Sequence, residues 1–296
     1  MSENLLDYIG YHSKWHGKVQ NNREDYTYNQ NDHLIQEIFS RLEIKSGTFV
    51  EFGAIDGIDG ANTRLLYDNG WKKGVLIECD PEKYKALERN YSNEDEIYTV
   101  NKMINTTDNK FDDIMSELNI GEIDFCSIDI DGLDLKIFKT VESYLPKVVC
   151  IEGGQCLDPF EPEVTEEIAK NNIQQSLKSY CDVFKRKGYC LIASYQDNIF
   201  VKEEYAHLFD TSDKDILDFY IDGIIAYPRI PWLLKKCVEN KVNNRILQFI
   251  VSDMDMQNIY NISFGSPQDK SEWVNSNYSE IVEKCKIILK NKENIL

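Results

Sequence analysis

Residues 48–80, TFVEFGAIDGIDGANTRLLYDNGWKKGVLIECD, decide the fold of this chain. They begin with an apolar run at 48–54, pass through a glycine-rich turn into a helical pattern near 62–69, and end in a second apolar run at 74–80. A buried strand, a helix and another buried strand in this order are typical of a βαβ unit in a parallel sheet.

The same alternation continues beyond this unit. Further strands are predicted at 96–104, 123–131 and 147–154, and further helices at 81–91, 108–118 and 133–144. An amphipathic helix with Asp32 as its N-cap precedes them, and a long helix from Glu166 to Lys187 with two strands joined by a turn at Gln196–Asn198 follows. The fold class predicted is α/β: a Rossmann-like, mostly parallel sheet flanked by helices, with a C-terminal helical appendage.

Three regions are predicted along the chain. Residues 1–30 form an N-terminal arm, 31–205 form the core, and 206–296 form a helical C-terminal extension packed on that core. The extension shows helical patterns at 213–220, 231–250 and 270–290. It is a candidate interface for a homodimer and a candidate determinant of acceptor choice.

Composition narrows the classes of partner. A formal net charge of −18 would repel a polyanion, so nucleic acid is not expected as a partner. No run of about 18 apolar residues and no secretion signal is found, so no membrane span is predicted and the location expected by default is cytoplasmic. The 8 cysteines never fall at C-x-x-C spacing, and we interpret most of them as reduced packing residues.

The glycine-rich turn after the first strand indicates a ligand. Its glycines, Gly53, Gly57 and Gly60, have G-x-x-x-G-x-x-G spacing, whereas a dinucleotide fold uses G-x-G-x-x-G to hold pyrophosphate. The turn also carries acidic residues, among them Glu51 and Asp56, which would repel a pyrophosphate. S-adenosylmethionine (SAM) has no phosphate and carries a sulfonium and an ammonium, so the turn favours SAM over NAD or ATP. The alternative is an ordinary tight turn with solvated acids.

The ends of the second and third strands extend the candidate cofactor site. Glu78 is placed to accept hydrogen bonds from both ribose hydroxyls, and Asp80 is predicted to cap the following helix, with Pro81 at its first position. After the third strand, Ile104 stands with Met103 and Asn105 where a protein would cover an adenine.

Acidic residues at the ends of the fourth and fifth strands are the catalytic candidates. Strand alternation predicts that Asp129 and Asp131 point to the same side, where they could act as a base and its partner. If the reaction depends on a metal, Asp129, Asp131 and Glu152 would supply oxygen ligands to a cation such as Mg²⁺. Alternatively, Asp129 only binds the SAM amino group and Asp131 caps the next helix.

With these residues in view, the chain resembles the FkbM-type SAM-dependent methyltransferases. The resemblance covers roughly residues 30–202, including QNDHLIQEIFSRL, the run from FVEFGAIDG to ECDPEKY, IDFCSIDIDGLDLKIFK, PKVVCIEGG and GYCLIASYQDNIFV. It implies a class I methyltransferase fold and O-methylation, often of a sugar hydroxyl in a glycan, polysaccharide or natural product. By position it implies SAM binding by Glu51, Gly53, Asp56, Gly57, Asn62, Glu78 and Asp129.

One departure from the family pattern affects the candidate base. Family members often show K-I-D-x-E-G where this chain has Ser127-Ile-Asp129-Ile-Asp131-Gly132, so the identity of the base is left open.

Three function hypotheses follow. The leading one is a SAM-dependent O-methyltransferase acting on a sugar, a glycan or a carbohydrate-linked group. The alternatives are a non-catalytic SAM-fold interaction protein and, disfavoured by the glycine spacing, a nucleotide-dependent oxidoreductase.

Overall fold

A computed structural model describes residues 26–27, 31–153, 155–169, 173–226, 230–252 and 283. The strands are β1 (Thr48–Phe52), β2 (Lys73–Ile77), β3 (Ile97–Val100), β4 (Phe125–Ile128), β5 (Val148–Glu152), β6 (Tyr189–Ser194) and β7 (Asp197–Lys202). The helices are α1 (Asp32–Arg41), α2 (Arg64–Asp68), α3 (Pro81–Asn90), α4 (Phe111–Glu117), α5 (Asp134–Lys139), α6 (Glu166–Ala169), α7 (Leu177–Arg186), α8 (Ile216–Ala226), α9 (Ile230–Asn240) and α10 (Arg245–Ser252). A 3₁₀ helix spans Glu203–Leu208.

The strands form one seven-stranded sheet in the order β3-β2-β1-β4-β5-β7-β6. Strands β1 to β5 pair in parallel, and β7 runs antiparallel to both β5 and β6. The predicted fold class, a Rossmann-like and mostly parallel sheet flanked by helices, is confirmed. The direction of chain progression reverses between β1 and β4, and this switch point is where open α/β sheets bind ligands, outside the carboxyl ends of the strands.

Both faces of the sheet are buried, as the continuous apolar runs predict. Phe49 and Leu76 belong to one hydrophobic cluster, whereas Val50 and Val75 belong to the other. All four side chains are fully buried. Since successive strand residues alternate between faces, this burial fixes the register of β1 against β2.

Helix α1 does not begin as the sequence predicts. Its N-cap is Asn31, and Asp32 lies in the first turn, so the prediction that Asp32 is the N-cap is wrong. The Asp32 carboxylate instead accepts hydrogen bonds from the backbone N–H groups of Tyr26 and Thr27. Asp32 therefore does not cap its own helix, and its carboxylate instead binds the backbone of Tyr26 and Thr27.

The single helix predicted from Glu166 to Lys187 is also wrong. The structure has two helices there, because Gln174 adopts a φ of 60° and Ser176 begins α7 by accepting a hydrogen bond from Ser179 N. The pattern at 231–250 is divided in the same way, since Lys241 has a φ of 56° and Asn244 accepts a hydrogen bond from Leu247 N at the start of α10.

Helices α8 to α10 contribute to a third hydrophobic cluster together with the chain that follows β5. Leu217, Tyr220, Ile224 and Ile246 of the helices join Leu157 of the core in this cluster. The division at residue 206 stays a prediction. The N-terminal arm before Tyr26, the helical pattern at 270–290 and any dimer contact made there lie outside the described residues. Within the described parts of the chain, every helix is too short or too polar to cross a bilayer.

Candidate functional site

The loops after β1 and β4 meet backbone to backbone at the switch point. Gly53 follows β1 with a φ of 70°, and a Cβ atom added there would lie 2.1 Å from the carbonyl oxygen of Asp129. Only glycine suits this position, both because its φ is positive and because the neighbouring backbone leaves no room for a side chain. The two loops therefore approach each other more closely than any other residue would allow.

Hydrogen bonds fix the remainder of the glycine loop. The Asp56 carboxylate accepts from the backbone N–H groups of Ile58 and Asp59, both at 2.9 Å, and the Tyr91 hydroxyl donates to the carbonyl oxygen of Gly57 at 2.6 Å. Ile55 has a φ of 53°, a costly conformation for a β-branched residue. Such strain clusters at ligand sites, where the surrounding contacts maintain it. Asp56 and Gly57 thus shape the loop.

Glu51 fastens this loop to the start of α2. Its side chain is buried, and its carboxylate accepts hydrogen bonds from Asn62 N at 2.7 Å and Thr63 Oγ1 at 2.6 Å. Burial raises the pKa of Glu51 to about 7, although these hydrogen bonds oppose the rise. These hydrogen bonds join Glu51 to the protein itself, and its part in SAM binding stays a prediction.

Asn62 carries an unsatisfied atom at the same place. Its Nδ2 donates to Ser127 Oγ at 2.8 Å, which bridges β1 and β4. Its Oδ1 is buried without a hydrogen-bond partner in the described part of the chain. A buried acceptor without a donor costs about 1–3 kcal/mol, so a ligand that donates a hydrogen bond here would be favoured.

Glu78 connects the second strand to the glycine loop. Its side chain is 4% exposed, with Oε2 accepting from Ile55 N at 2.9 Å and Oε1 from Asp80 N at 2.7 Å. The Cys79 thiol is also a hydrogen-bond partner of this carboxylate. A carboxylate can accept about four hydrogen bonds, so it keeps capacity for a further donor. Asp80 accepts from the backbone N–H groups of Glu82 and Lys83, and Pro81 begins α3, which confirms the predicted cap.

Three acids come together beyond β4 and β5. Asp129, Asp134 and Glu152 each place a carboxylate oxygen within 4.8 Å of the others, and we call this group the acid cluster. Asp129 is exposed as a residue, but desolvation of its carboxyl group by the surrounding protein and the charges of Asp134, Asp197 and Asp131 raise its pKa.

The other two members of the acid cluster also hold protons more tightly than usual. Burial first, and then the neighbouring acids Asp129 and Asp134, raise the pKa of Glu152 to about 10. Burial raises the pKa of Asp134 to about 6 against the opposing effect of its hydrogen bonds. At neutral pH Glu152 is therefore protonated, and the acid cluster carries less negative charge than its composition suggests.

The predicted pairing of Asp129 with Asp131 is corrected by this arrangement. Strand β4 ends at Ile128, so strand alternation does not extend to Asp131, which is exposed with a φ of 58°. Asp134 takes its place in the acid cluster and also accepts hydrogen bonds from the N–H groups of Ile130 and Gly132 at 2.9 and 2.8 Å. The alternative that Asp131 caps the next helix is wrong too, because the N-cap of α5 is Leu133.

Sequence reasoning missed the residues that support Glu152. Gln174 Nε2 donates to the Glu152 carboxylate, and the Tyr180 hydroxyl donates to the Glu152 carbonyl oxygen at 2.7 Å. Asp197 lies opposite Glu152 in the β5–β7 register and accepts from Asn31 Nδ2 at 3.1 Å. Gln174 belongs to the segment predicted as one helix, so no signal in the sequence connected it with the site.

The role predicted for Ile104, to cover the adenine of the cofactor, stays a prediction. Ile104 is buried in the cluster beneath the sheet, whereas the adjacent Met103 is 67% exposed. A surface cavity of about 1080 Å³ lies elsewhere, against α7, β6 and residues 203–219, and is lined by none of the predicted site residues. We therefore place the candidate site by strand topology rather than by cavity size.

Comparison with solved structures returns methyltransferases at low similarity. A candidate caffeoyl-CoA O-methyltransferase from Staphylococcus aureus is 13% identical, with a TM-score of 0.42 over 64% of this chain and 90% of that chain. An O-methyltransferase from Bacillus cereus, in complex with SAH, is 13% identical, with a TM-score of 0.39 over 68% and 92%. A candidate RNA methyltransferase from Pyrococcus horikoshii is 11% identical, with a TM-score of 0.40 over 60% and 84%.

No protein-family model and no curated protein matches the chain. Because the three TM-scores lie below 0.5, these likenesses carry no conclusion about what this chain binds or does.

Proposed function

We propose that this protein is a SAM-dependent methyltransferase that transfers a methyl group to the oxygen of a hydroxyl. The observation that carries the proposal is the approach of Gly53 to the Asp129 carbonyl, which joins the glycine loop to the acid cluster at the switch point of the sheet. The acceptor that we propose is a sugar, a glycan or a carbohydrate-linked group, as in the FkbM-type enzymes that the motifs resemble.

The donor and acceptor groups of the site suit SAM. Asn62 Oδ1 is a buried acceptor that lacks a donor, and an ammonium group would supply one. The Glu78 carboxylate keeps acceptor capacity for a ribose hydroxyl beside its hydrogen bonds to the protein. The acidic residues in and beside the glycine loop, among them Glu51 and Asp56, would repel the pyrophosphate of NAD, which disfavours an oxidoreductase. When bound, SAM supplies an electrophilic methyl group attached to a sulfonium.

Asp129 is the residue that we assign as the proton acceptor. Transfer to a hydroxyl requires a base near the reacting oxygen, and Asp129 is the member of the acid cluster that is open to solvent. Burial and the neighbouring acids raise its pKa, so the proposal requires that Asp129 be ionised when the acceptor binds, and the rate of transfer should rise with pH as this carboxyl loses its proton. Asp134 positions Asp129 by holding the N–H groups of Ile130 and Gly132, which form the turn between them.

A divalent cation is not required by this proposal. Oxygen donors suit Mg²⁺, and the geometry would assign it to Asp129, Asp134 and Glu152 rather than to the set with Asp131. A bound cation would itself favour the ionised form of these carboxylates, so the raised pKa of Glu152 gives no argument against a cation. Metal dependence therefore stays a prediction, to be checked by running every assay with Mg²⁺ and with a chelator.

The first experiment is calorimetric titration of the protein with S-adenosylhomocysteine and, separately, with NADH. We expect micromolar binding of S-adenosylhomocysteine, weakened by at least about tenfold in Glu78→Ala, because a buried hydrogen-bonding carboxylate is lost. Glu82→Ala is the matched control, since Glu82 is exposed on α3 nearby, and it should bind as the wild type does. Binding of NADH in place of S-adenosylhomocysteine would overturn the proposal.

The acceptor is then sought by transfer of labelled methyl groups from SAM to a panel of sugars, glycans, catechols and amines. Labelling of a sugar hydroxyl supports the full proposal, and labelling of another oxygen supports only O-methylation. Tight binding of S-adenosylhomocysteine without transfer to any acceptor would favour the non-catalytic interaction protein.

A further inference from the structure

The side chain of Asn31 is turned away from the helix that it begins. An asparagine at an N-cap ordinarily accepts a hydrogen bond from a backbone N–H group in the first turn of its helix. Asn31 is the N-cap of α1, but its side chain makes no such bond. Its Nδ2 instead donates to the Asp197 carboxylate at 3.1 Å and lies 3.8 Å from the Cys150 sulfur. The amide therefore lies beside β5 and β7, where Glu152 and Asp197 are paired.

Asn31 also has an acceptor atom without a donor. The residue is fully buried, and in the described part of the chain its Oδ1 has no hydrogen-bond partner. Asp197 identifies the two amide atoms, because an ionised carboxylate needs a donor and only the nitrogen is one. Oδ1 is bonded to the same carbon as Nδ2, so this acceptor lies at the same end of the sheet as the acid cluster. A ligand that donates a hydrogen bond there would be favoured.

Hydrogen bonds hold the segment before α1 between the two sides of the site. The backbone N–H of Asn31 donates to Thr27 Oγ1 at 2.9 Å, and Thr27 N donates to the Asp32 carboxylate at 3.0 Å. The Tyr26 carbonyl accepts a hydrogen bond from Gly60 N of the glycine loop at 2.8 Å. The segment is thus bound to the glycine loop at one end and to the strands of the acid cluster at the other, so Asn31 is preorganised for binding.

The ammonium group of the cofactor does not account for this acceptor atom. That ammonium is assigned to Asn62, whose side chain donates to Ser127 of β4. Asn31 donates to Asp197 of β7, which lies two strands further along the sheet. Neighbouring strands are about 4.8 Å apart, so the two places are separated by roughly 10 Å and one ammonium does not reach both. Asn31 is therefore available to the other reactant, the methyl acceptor.

The acids around Asn31 select the chemical group that binds it. Asp197 lies close enough to the acid cluster for its charge to raise the pKa values of Asp129 and Glu152. An ammonium group only donates hydrogen bonds and carries a charge opposite to that of a carboxylate, whereas a hydroxyl also presents an oxygen to these acids. We propose, resting on the proposed methyltransferase function, that Asn31 and the acid cluster bind a protonated amino group of the acceptor, which is an amino sugar.

A protonated amino group at this position also directs the methyl group to oxygen. The nitrogen of an ammonium has no lone pair to offer, because that pair is bonded to the proton. A neighbouring hydroxyl is then the nucleophile, and its proton passes to Asp129. The positive charge beside Asp129 favours the ionised form of this carboxylate, which is the form that accepts the proton.

The experiment measures by calorimetry the binding of matched sugars to the full-length protein, with and without saturating S-adenosylhomocysteine. The probes are glucosamine, galactosamine and mannosamine, each compared with its N-acetylated form and with the parent hexose. Within each series the sugars differ only in the group at one carbon. We expect at least one amino sugar to bind about tenfold or more tightly than its two neutral counterparts, because only the amino sugar forms charged hydrogen bonds.

The Asn31→Ala variant tests whether this residue is responsible. It should weaken binding of that amino sugar by about tenfold and leave binding of S-adenosylhomocysteine within about twofold of the wild type. Asp112→Ala is the matched control, since Asp112 holds the backbone N–H groups of Glu142 and Ser143 at 2.8 Å in the chain that leads into β5. It should leave both affinities unchanged. If Asn31→Ala does not fold, Asn31→Ser replaces it, because serine can still cap α1.

The outcomes separate this inference from the proposed function. Equal binding of amino and neutral sugars, no binding of any amino sugar, or a loss of S-adenosylhomocysteine binding in the Asn31 variant as large as the loss of amino-sugar binding would each overturn the inference. Amino-sugar binding that depends on Asn31, without any binding of S-adenosylhomocysteine to the wild type, would overturn the methyltransferase function and leave the amine site in place.

Discussion

The carboxylates on the two sides of the switch point differ in what faces them. On the side of β1 and β2, Glu51 and Glu78 have hydrogen-bond donors on both oxygens, and most of these donors are backbone N–H groups. On the side of β4 and β5, Asp129 and Glu152 face other acids. The first side is built to hold a loop in one conformation. The second holds acidic groups close together, which raises their pKa values, and such perturbed pKa values are characteristic of sites that perform chemistry.

The largest expected effect tests whether the acid cluster is the reactive side. Asp129→Asn should lower kcat by about 10²–10⁴-fold at saturating SAM, because the proton acceptor is lost while the shape is kept. Asp131→Asn should lower kcat less than about tenfold, since Asp131 lies outside the acid cluster. The rates are measured with the acceptor found by the methyl-transfer panel. Equal losses in the two variants would show that Asp129 is not the base.

The next largest effect tests the close approach of the glycine loop, at Gly53, to the backbone of Asp129. Gly53→Ala should lower the free energy of unfolding by about 3 kcal/mol or more, because the new Cβ meets the Asp129 carbonyl at 2.1 Å in a strained backbone conformation. Gly70→Ala is the control, since Gly70 has a φ of 102° but no heavy atom lies within 4 Å of its added Cβ. It should cost only about 1–2 kcal/mol. Urea unfolding of both variants gives the difference, and similar losses would remove the close approach as the cause.

The smallest effect concerns the protons of the acid cluster. Since the folded-state pKa of Glu152 is about 10 and its ordinary value is 4.5, the folded protein binds more protons between these values. Stability from this group is therefore fully present below about pH 4.5 and is lost as pH rises towards 10. Glu152→Gln cannot ionise, so at pH 8 it should be more stable than the wild type by on the order of 1–3 kcal/mol.

Denaturant unfolding at pH 5 and at pH 8 measures this change, with Glu96→Gln as the control because Glu96 is exposed. Glu96→Gln should follow the pH dependence of the wild type. If Glu152→Gln loses stability as steeply as the wild type between the two pH values, Glu152 does not hold its proton in the folded state.

The sequence predicted the parallel part of the sheet and its glycine loop with useful accuracy. The strand predicted at 48–54 is observed as Thr48–Phe52, and the helix predicted at 81–91 is observed as Pro81–Asn90. These elements are short and apolar, or are capped by local residues such as Asp80, so a local pattern contains the information that determines them. Glu51, Gly53, Asp56, Gly57, Asn62 and Glu78 all lie in or beside the loop that the sequence identified.

The sequence failed where a local preference competed with a distant contact. Asp32 could have been a cap but instead accepts hydrogen bonds from Tyr26 and Thr27. Asp131 has the same side chain as Asp129 and follows the same strand two residues later. Its positive φ changes the direction of the chain, and Asp131 lies outside the acid cluster. No spacing rule connects Glu152 with Gln174 or Tyr180.

The sequence by itself therefore determined the fold class and the glycine loop, because burial on both faces of a strand and positive φ at glycine leave signals within a few residues. Only the tertiary structure decided that Asp134 rather than Asp131 joins Asp129 and Glu152. Those contacts join residues from separate strands, loops and helices. Their distances are set by how the whole sheet and its helices assemble, and a linear pattern does not contain that information.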